Sequence, residues 1–251
     1  KEVRDYTLKV AMEIVNKYDI DGLHLDYIRW NEHSNTLRST NSVKKELQRL
    51  DGFVSDEELD QINNLSGRYL YDYLHPYSAG IPNGFGSWED WWRWSVTEFV
   101  KALHDSIQTV KPHVKLSAAV LGKYNWSGWQ GYGTVFQDGA LWFNEGYLDH
   151  IMPMHYHWKT ANGFMGMLSD DCPECWLSFI QNGIESGRSF TVGPGSYILE
   201  DNNSWYNHPS IIESCRSLDW VDGFQFFSYA TWDDNDYFVP AGASFFKNLS
   251  K

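Results

Sequence analysis

Along nearly its whole length the chain alternates between amphipathic helical runs and short apolar runs of strand character. That alternation constrains its fold more than any other feature. A helical run from about Glu2 to Lys17 leads into a strand over Gly22–Tyr27. A second helix, Trp91 to about Val110, carries Val96, Phe99, Val100, Leu103 and Ile107 at spacings of three and four, and Lys111-Pro112 ends it. The strand Val114–Leu121 follows, then a short helix over Val135–Asn144 and a strand over Leu148–Tyr156. A helix from about Cys175 to Ser186, a strand over Ser189–Val192, a helix over Pro209–Leu218 and a last strand over Gly223–Tyr229 complete the series, with a closing helix near Ala241–Leu249. Strands separated by helices at this spacing predict a parallel sheet with crossover helices, an α/β fold. Residues 1–251 show no internal repeat or low-complexity linker and read as one domain. A long polar insertion occupies 31–90; within it Ser55 and Glu58 form a capping box for a helix reaching about Leu74. Insertions of this length are commonly lids or cleft walls.

The first strand carries the sharpest local pattern. In Gly22-Leu23-His24-Leu25-Asp26-Tyr27 the two leucines face one side, and His24 and Asp26 face the other. A leucine face suits packing against helices. A His and an Asp at the C-terminal end of a parallel strand suit the mouth of a (β/α) barrel, where chemistry gathers in that architecture. The alternative is a polar pair satisfied within a core.

Bulk properties exclude some classes. A net charge of −13 argues against nucleic acid and anionic membranes as partners, since both require a basic face. No run of eighteen apolar residues marks a membrane span. The chain opens within a helical pattern and without Met, as a mature product or the later part of a longer protein would. Aromatic residues make up 17% of it, including 13 Trp, more than a core of this size needs. Trp88, Trp91, Trp92, Trp94, Trp126, Trp129, Trp205 and Trp232 fall in or near loops, where rings stack on sugar faces or pack helices onto strands.

Three cysteines give no zinc framework: Cys172 and Cys175 have a C-x-x-C spacing, Cys215 lies far away, and no second pair exists. A structural disulfide among them and free thiols both remain open. Sequons at Asn64, Asn125, Asn202 and Asn248 lean toward a secreted or cell-surface protein.

An ordered set of segments resembles glycoside-hydrolase-like family 10. It comprises the run from Tyr18 to Arg29; Trp92-Arg93 opening a helix that ends at Val110-Lys111-Pro112; Gln137-Asp138, Trp142 and the run from Glu145 to Tyr156; Val192-Gly193-Pro194-Gly195-Ser196-Tyr197; and Gly223-Phe224-Gln225-Phe226-Phe227-Ser228-Tyr229. The resemblance implies a TIM barrel of the (β/α)8 type acting on bacterial polysaccharide or peptidoglycan-like glycans. It places Asp26 at the end of the fourth barrel strand as a catalytic carboxylate. A closed barrel has eight strand–helix units, so about three would precede Lys1 or come from a partner chain or self-assembly. Many family members carry a second Asp where this chain has Tyr27.

Glycoside hydrolysis ordinarily needs two carboxylates. Asp26 is the first candidate, with His24 or Arg29 expected to hold it ionised. For the second, Asp233 and Asp234 follow the last strand and are better placed; Asp138 is a looser candidate, Glu200 lies past the Gly-Pro-Gly loop, and Glu145 and Asp149 precede a strand, at the wrong end of a barrel. Trp30, His155, Tyr156, Tyr197, Tyr229 and Trp232 are expected to line the mouth and bind sugar, and Arg93 to clamp an acidic sugar. Two other readings stand beside this one. His24 and Asp26 with His155 or His157 could share a metal, although no further ligand spacing supports it and no cofactor is expected. A non-catalytic glycan-binding or assembly subunit is the other.

Overall fold

The structure, a computed structural model, describes residues 1–30 and 82–235. The expected helices over Ser55–Leu74 and Ala241–Leu249 lie outside the described residues.

Helix α1 (Glu2–Lys17) has Glu2 and Asp5 in its first turn and Lys17 in its last, each matched to the helix dipole. Strand β1 (Gly22–Leu25) follows. Helix α2 (Trp88–Val110) begins three residues before its expected start, because Ser87 caps it by accepting the Asp90 N–H at 3.1 Å. Its stripe of Val96, Phe99, Val100, Leu103 and Ile107 is buried throughout. Each such side chain contributes roughly 1.5–3 kcal/mol of burial. Strand β2 (Lys115–Leu121) comes next.

The helix expected over Val135–Asn144 is shorter, α4 (Gly139–Asn144), and a separate turn of helix, α3 (Gly131–Thr134), comes before it. Phe136, at φ 55°, breaks the run, and Asp138 then caps α4 through the Leu141 N–H. Strand β3 (His150–His155) leads to α5 (Ala161–Leu168), a helix hidden in the sequence by Gly163 and Gly166 and started by Thr160 as N-cap. Helix α6 (Leu177–Glu185) precedes β4 (Ser189–Pro194). Beyond it lie α7 (Ser196–Asp201), a single 3-10 turn over Trp205–Asn207, and α8 (His208–Cys215). Strand β5 is shorter than expected, Gly223–Phe224, with an isolated parallel bridge from Phe227 to Gly195; α9 (Tyr229–Asp234) follows at once.

The five strands are parallel and lie in sequence order, β1-β2-β3-β4-β5. In β2 the inward-packed Leu116, Ala118 and Val120 are buried, and Ser117, Ala119 and Leu121 alternate with them. Ile151 in β3 and Phe190 and Val192 in β4 continue the buried face into one core with α2, α4, α5 and α6. Two acids staple strand starts. The Asp149 carboxylate accepts the Leu116 N–H at 2.9 Å, and the Asp222 carboxylate accepts the Phe190 N–H at 2.8 Å. Both sit at the N-terminal ends of the strands.

Cys172 and Cys175 form a disulfide, and Cys215 is a buried thiol whose pKa burial pushes up to about 12. Several rings expected on loops are core instead: Trp92 packs on Phe136, and Trp232 lies among Trp205, His208 and Phe226. Among the described residues no helix is long and apolar enough to cross a membrane.

Candidate active site

A cavity of about 470 Å³ opens at the C-terminal ends of the strands, walled by residues from β1 through to the segment after β5. This is where a parallel α/β sheet gathers ligands, because the loops that follow the strands converge there.

β1 delivers His24 and Asp26 to the cavity, while Leu23 and Leu25 pack against the core. The chain then turns sharply. Tyr27 takes a left-handed conformation at φ 56°, its N–H donates to the Asp26 carboxylate at 2.7 Å, and the Arg29 N–H donates to the Tyr27 carbonyl at 2.8 Å. A bulky residue at positive φ costs of order 1 kcal/mol and persists only where its surroundings fix it. Here the fixing group is Gln137. It is buried, its amide donates to the carbonyls of Ile28 (3.1 Å) and Ala119 (3.3 Å), and its oxygen accepts the Leu121 N–H at 2.8 Å. One side chain thus ties the turn carrying Asp26 to the end of β2. The Trp30 N–H reinforces it by donating to the Val135 carbonyl at 3.0 Å.

Tyr156 and Tyr197 line the same cavity, edge to face at 5.7 Å, with Phe227 against both. Burial pushes the Tyr156 phenol up to about 12, with added contributions from Tyr197 and the charge of Asp26. Tyr156 is therefore a protonated hydrogen-bond donor at neutral pH. His24 shares a 2.9 Å hydrogen bond with the Ser117 hydroxyl; burial lowers its pKa, and the nearby Asp26 opposes that shift.

The structure thus brings together seven of the residues singled out from the sequence: His24, Asp26, Arg29, Trp129, Tyr156, His157 and Tyr197. Arg29 makes no ion pair with Asp26; its guanidinium stacks on the Tyr27 ring at 4.6 Å. The others lie elsewhere. His155 points away from the cavity, between Trp158, Phe164 and Phe190, where its Nδ1 accepts the Gly193 N–H at 3.1 Å. The reason is strand alternation: with Tyr156 in the cavity, His155 must face the helices. Trp30 donates its indole N–H to the Trp92 carbonyl at 3.0 Å. Arg93 is buried against Tyr132 and paired with Asp90 at 3.0 Å, so it is not a sugar clamp. Trp232 is buried and donates to the Ser196 hydroxyl at 2.9 Å. Tyr229 is exposed on α9, outside the cavity lining.

Asp26 is the one carboxylate among the lining residues. Asp233 and Asp234 are exposed on α9 and do not line the cavity. Asp138 accepts the Tyr124 hydroxyl at 2.6 Å, Glu145 ends α4, Asp149 staples the far end of the sheet, and Glu200 accepts from Asn235. Among the described residues no three His, Cys, Asp or Glu side chains converge as metal ligands. His155, behind the sheet, is out of reach of His24 and Asp26, whereas His157, the other histidine of that reading, lines the cavity with them.

Other lining residues went unassigned in the sequence: Gln137, Gln225 and Phe227, along with Met152 and Met154. Counting alternate residues back from Tyr156 would have found the two methionines. No local signal marks Gln137, whose role is set by three backbone groups distant in sequence.

The chain is similar to known proteins. A relative named "Glycosyl hydrolase YngK", from Bacillus subtilis (strain 168), is 23% identical over 250 residues. The alignment takes in 93% of this chain and 42% of the relative, so the chain spans less than half the relative's length. The family model described as Glycosyl hydrolase-like 10 matches residues 1–170, which include Asp26, Gln137 and Tyr156, and the chain belongs to that family.

Proposed function

We propose that this chain contributes the substrate cleft of a glycoside hydrolase that cleaves O-glycosidic bonds in a bacterial-type polysaccharide or peptidoglycan-like glycan. The observation that carries this reading is the position of Asp26, at the C-terminal end of a parallel strand, in a cavity it shares with Tyr156, Tyr197 and Trp129. Aromatic and phenolic side chains around one carboxylate suit a sugar: the rings cover its apolar face and the hydroxyls take its polar edge. Family membership supports the same class of reaction.

In this mechanism Asp26 acts as the anionic partner at the scissile carbon, as nucleophile or as base to a water. Tyr156, protonated at neutral pH, donates to a sugar oxygen beside it. The reaction needs a second carboxylate as acid, and its separation from Asp26 would fix the stereochemistry, roughly 5–5.5 Å for retention and 6.5–9.5 Å for inversion. No second acid lines the cavity among the described residues. In this proposal it comes from outside them, in the completed (β/α)8 barrel of which the five strands here form a part. The completing units belong to a longer chain, to a partner or to another copy. The Cys172–Cys175 disulfide suits an extracytoplasmic site of action, secreted or at the cell surface.

The lone carboxylate also favours a second reading, a glycan-binding subunit without turnover. Incubating the protein with a broad panel of polysaccharides, and following reducing ends and binding in parallel, separates the two. Release of new reducing ends supports the hydrolase; binding without release on every glycan bound supports the subunit.

A further inference from the structure

One cation that lines the cavity and one next to its lining have no acidic partner among the described residues, in a chain with 33 acidic against 20 basic residues. Arg29 lines the cavity, and its guanidinium lies 4.6 Å from the ring centre of Tyr27 and 6.0 Å from that of Trp129. Lys123 follows the lining residue Gly122, with its ammonium 5.5 Å from the ring centre of Trp126. Its charge acts on the lining residue His157, whose pKa it lowers, after burial as the larger cause.

Stacking on rings holds a cation in place without neutralising it. Both loops are also fixed at their bases: Gln137 grips the Ile28 carbonyl, and the Lys123 carbonyl accepts the Gly131 N–H at 2.9 Å. A planar guanidinium set on an aromatic pair keeps its N–H edge available for a planar, two-oxygen anion. The single lining acid, Asp26, sits back along the turn, bonded by the Tyr27 N–H.

We propose that Arg29, supported by Lys123, forms a subsite for an anionic substituent on the bound glycan, a sugar carboxylate or a sulfate ester. The assignment rests on the glycan reading above and narrows it to acidic polysaccharides. It replaces Arg93, which is already occupied by Asp90 and the Tyr132 carbonyl.

The test measures binding of matched glycan pairs by the full chain carrying Asp26→Asn, so that turnover does not consume the ligand. Each acidic polymer (peptide-free peptidoglycan strands, bacterial alginate, hyaluronan, polygalacturonate) is paired with its carboxyl-reduced form, and each sulfated polymer with its desulfated form. For at least one pair the charged member should bind about tenfold tighter or more, with the advantage shrinking as salt rises. Arg29→Gln should level that pair while leaving neutral binding in place, and Arg29→Lys, which keeps charge but loses the fork, should restore only part of it. The responding pair identifies carboxylate or sulfate. Equal affinity within every bound pair, or a preference that survives Arg29→Gln, overturns the subsite and leaves the glycan reading standing. Failure to bind any member of any pair overturns both.

Discussion

His155 and Tyr156 are neighbours in the chain and lie on opposite sides of the sheet: the imidazole is sealed among aromatic rings on the helix side, and the phenol lines the cavity with Asp26. The first packs in the core and the second lines the cavity, and strand alternation alone separates them.

Burial lowers the His155 pKa to about 3, with His157 adding a smaller effect in the same direction. The unfolded chain titrates this residue near 6.5, so between those values the unfolded state holds the extra proton. The histidine's contribution is complete above about pH 6.5 and declines as pH falls toward 3, by up to about 1.4 kcal/mol per pH unit. His208, lowered to about 4 by burial, adds to the loss in the same direction over the upper part of that window. Denaturant melts from pH 7 to pH 4 should show this slope, and His155→Gln should flatten it. An unchanged slope in that variant would place the acid sensitivity elsewhere.

Tyr156→Phe removes a donor and little volume. The expected loss in kcat is about 10- to 100-fold if the phenol bonds a sugar oxygen in the transition state, with the melting temperature nearly unchanged. A kcat equal to that of the parent would make Tyr156 a stacking residue alone.

Gln137→Ala would orphan the Ile28 and Ala119 carbonyls and the Leu121 N–H, at about 1–3 kcal/mol for each group left buried and unbonded. Because the same side chain holds the Asp26 turn, turnover per folded molecule should also fall. Normal turnover in the folded fraction would contradict that second role.

Gly122 has no room for a side chain: a methyl group there would run into the Met154 carbonyl and the His155 Cα at the lip of the cavity. Gly122→Ala should cost about 1–3 kcal/mol in denaturant melts by forcing β2 from β3. A variant as stable as the parent would show that the two strands can part at no cost.

The sequence carried the fold further than the site. Periodicity located α1 to the residue and every buried member of the α2 stripe, because burial on one face repeats at a period the chain displays openly. It missed α5, whose glycines mask a helix that tertiary packing of Phe164, Met167 and Leu168 sustains, and it missed α3 and began α4 too early, at Val135, across the left-handed Phe136. In the site, alternation along β1 correctly paired His24 with Asp26. Arg93 and Trp232 were misread because a charge or an indole near a loop looks the same in sequence whether it meets substrate or closes a core. Their partners, Asp90 with the Tyr132 carbonyl and the Ser196 hydroxyl, are fixed only by the folded backbone. Gln137 was invisible as a clamp for the same reason.

The central claim is that Asp26 performs chemistry on a glycan, and one comparison tests it most directly: the rate of reducing-end release from a cleaved polysaccharide by the parent protein and by Asp26→Asn, with glycan affinity measured alongside. The account predicts a fall of about 10²-fold or more in rate, with affinity largely kept. Cleavage at the parent rate by Asp26→Asn would contradict it.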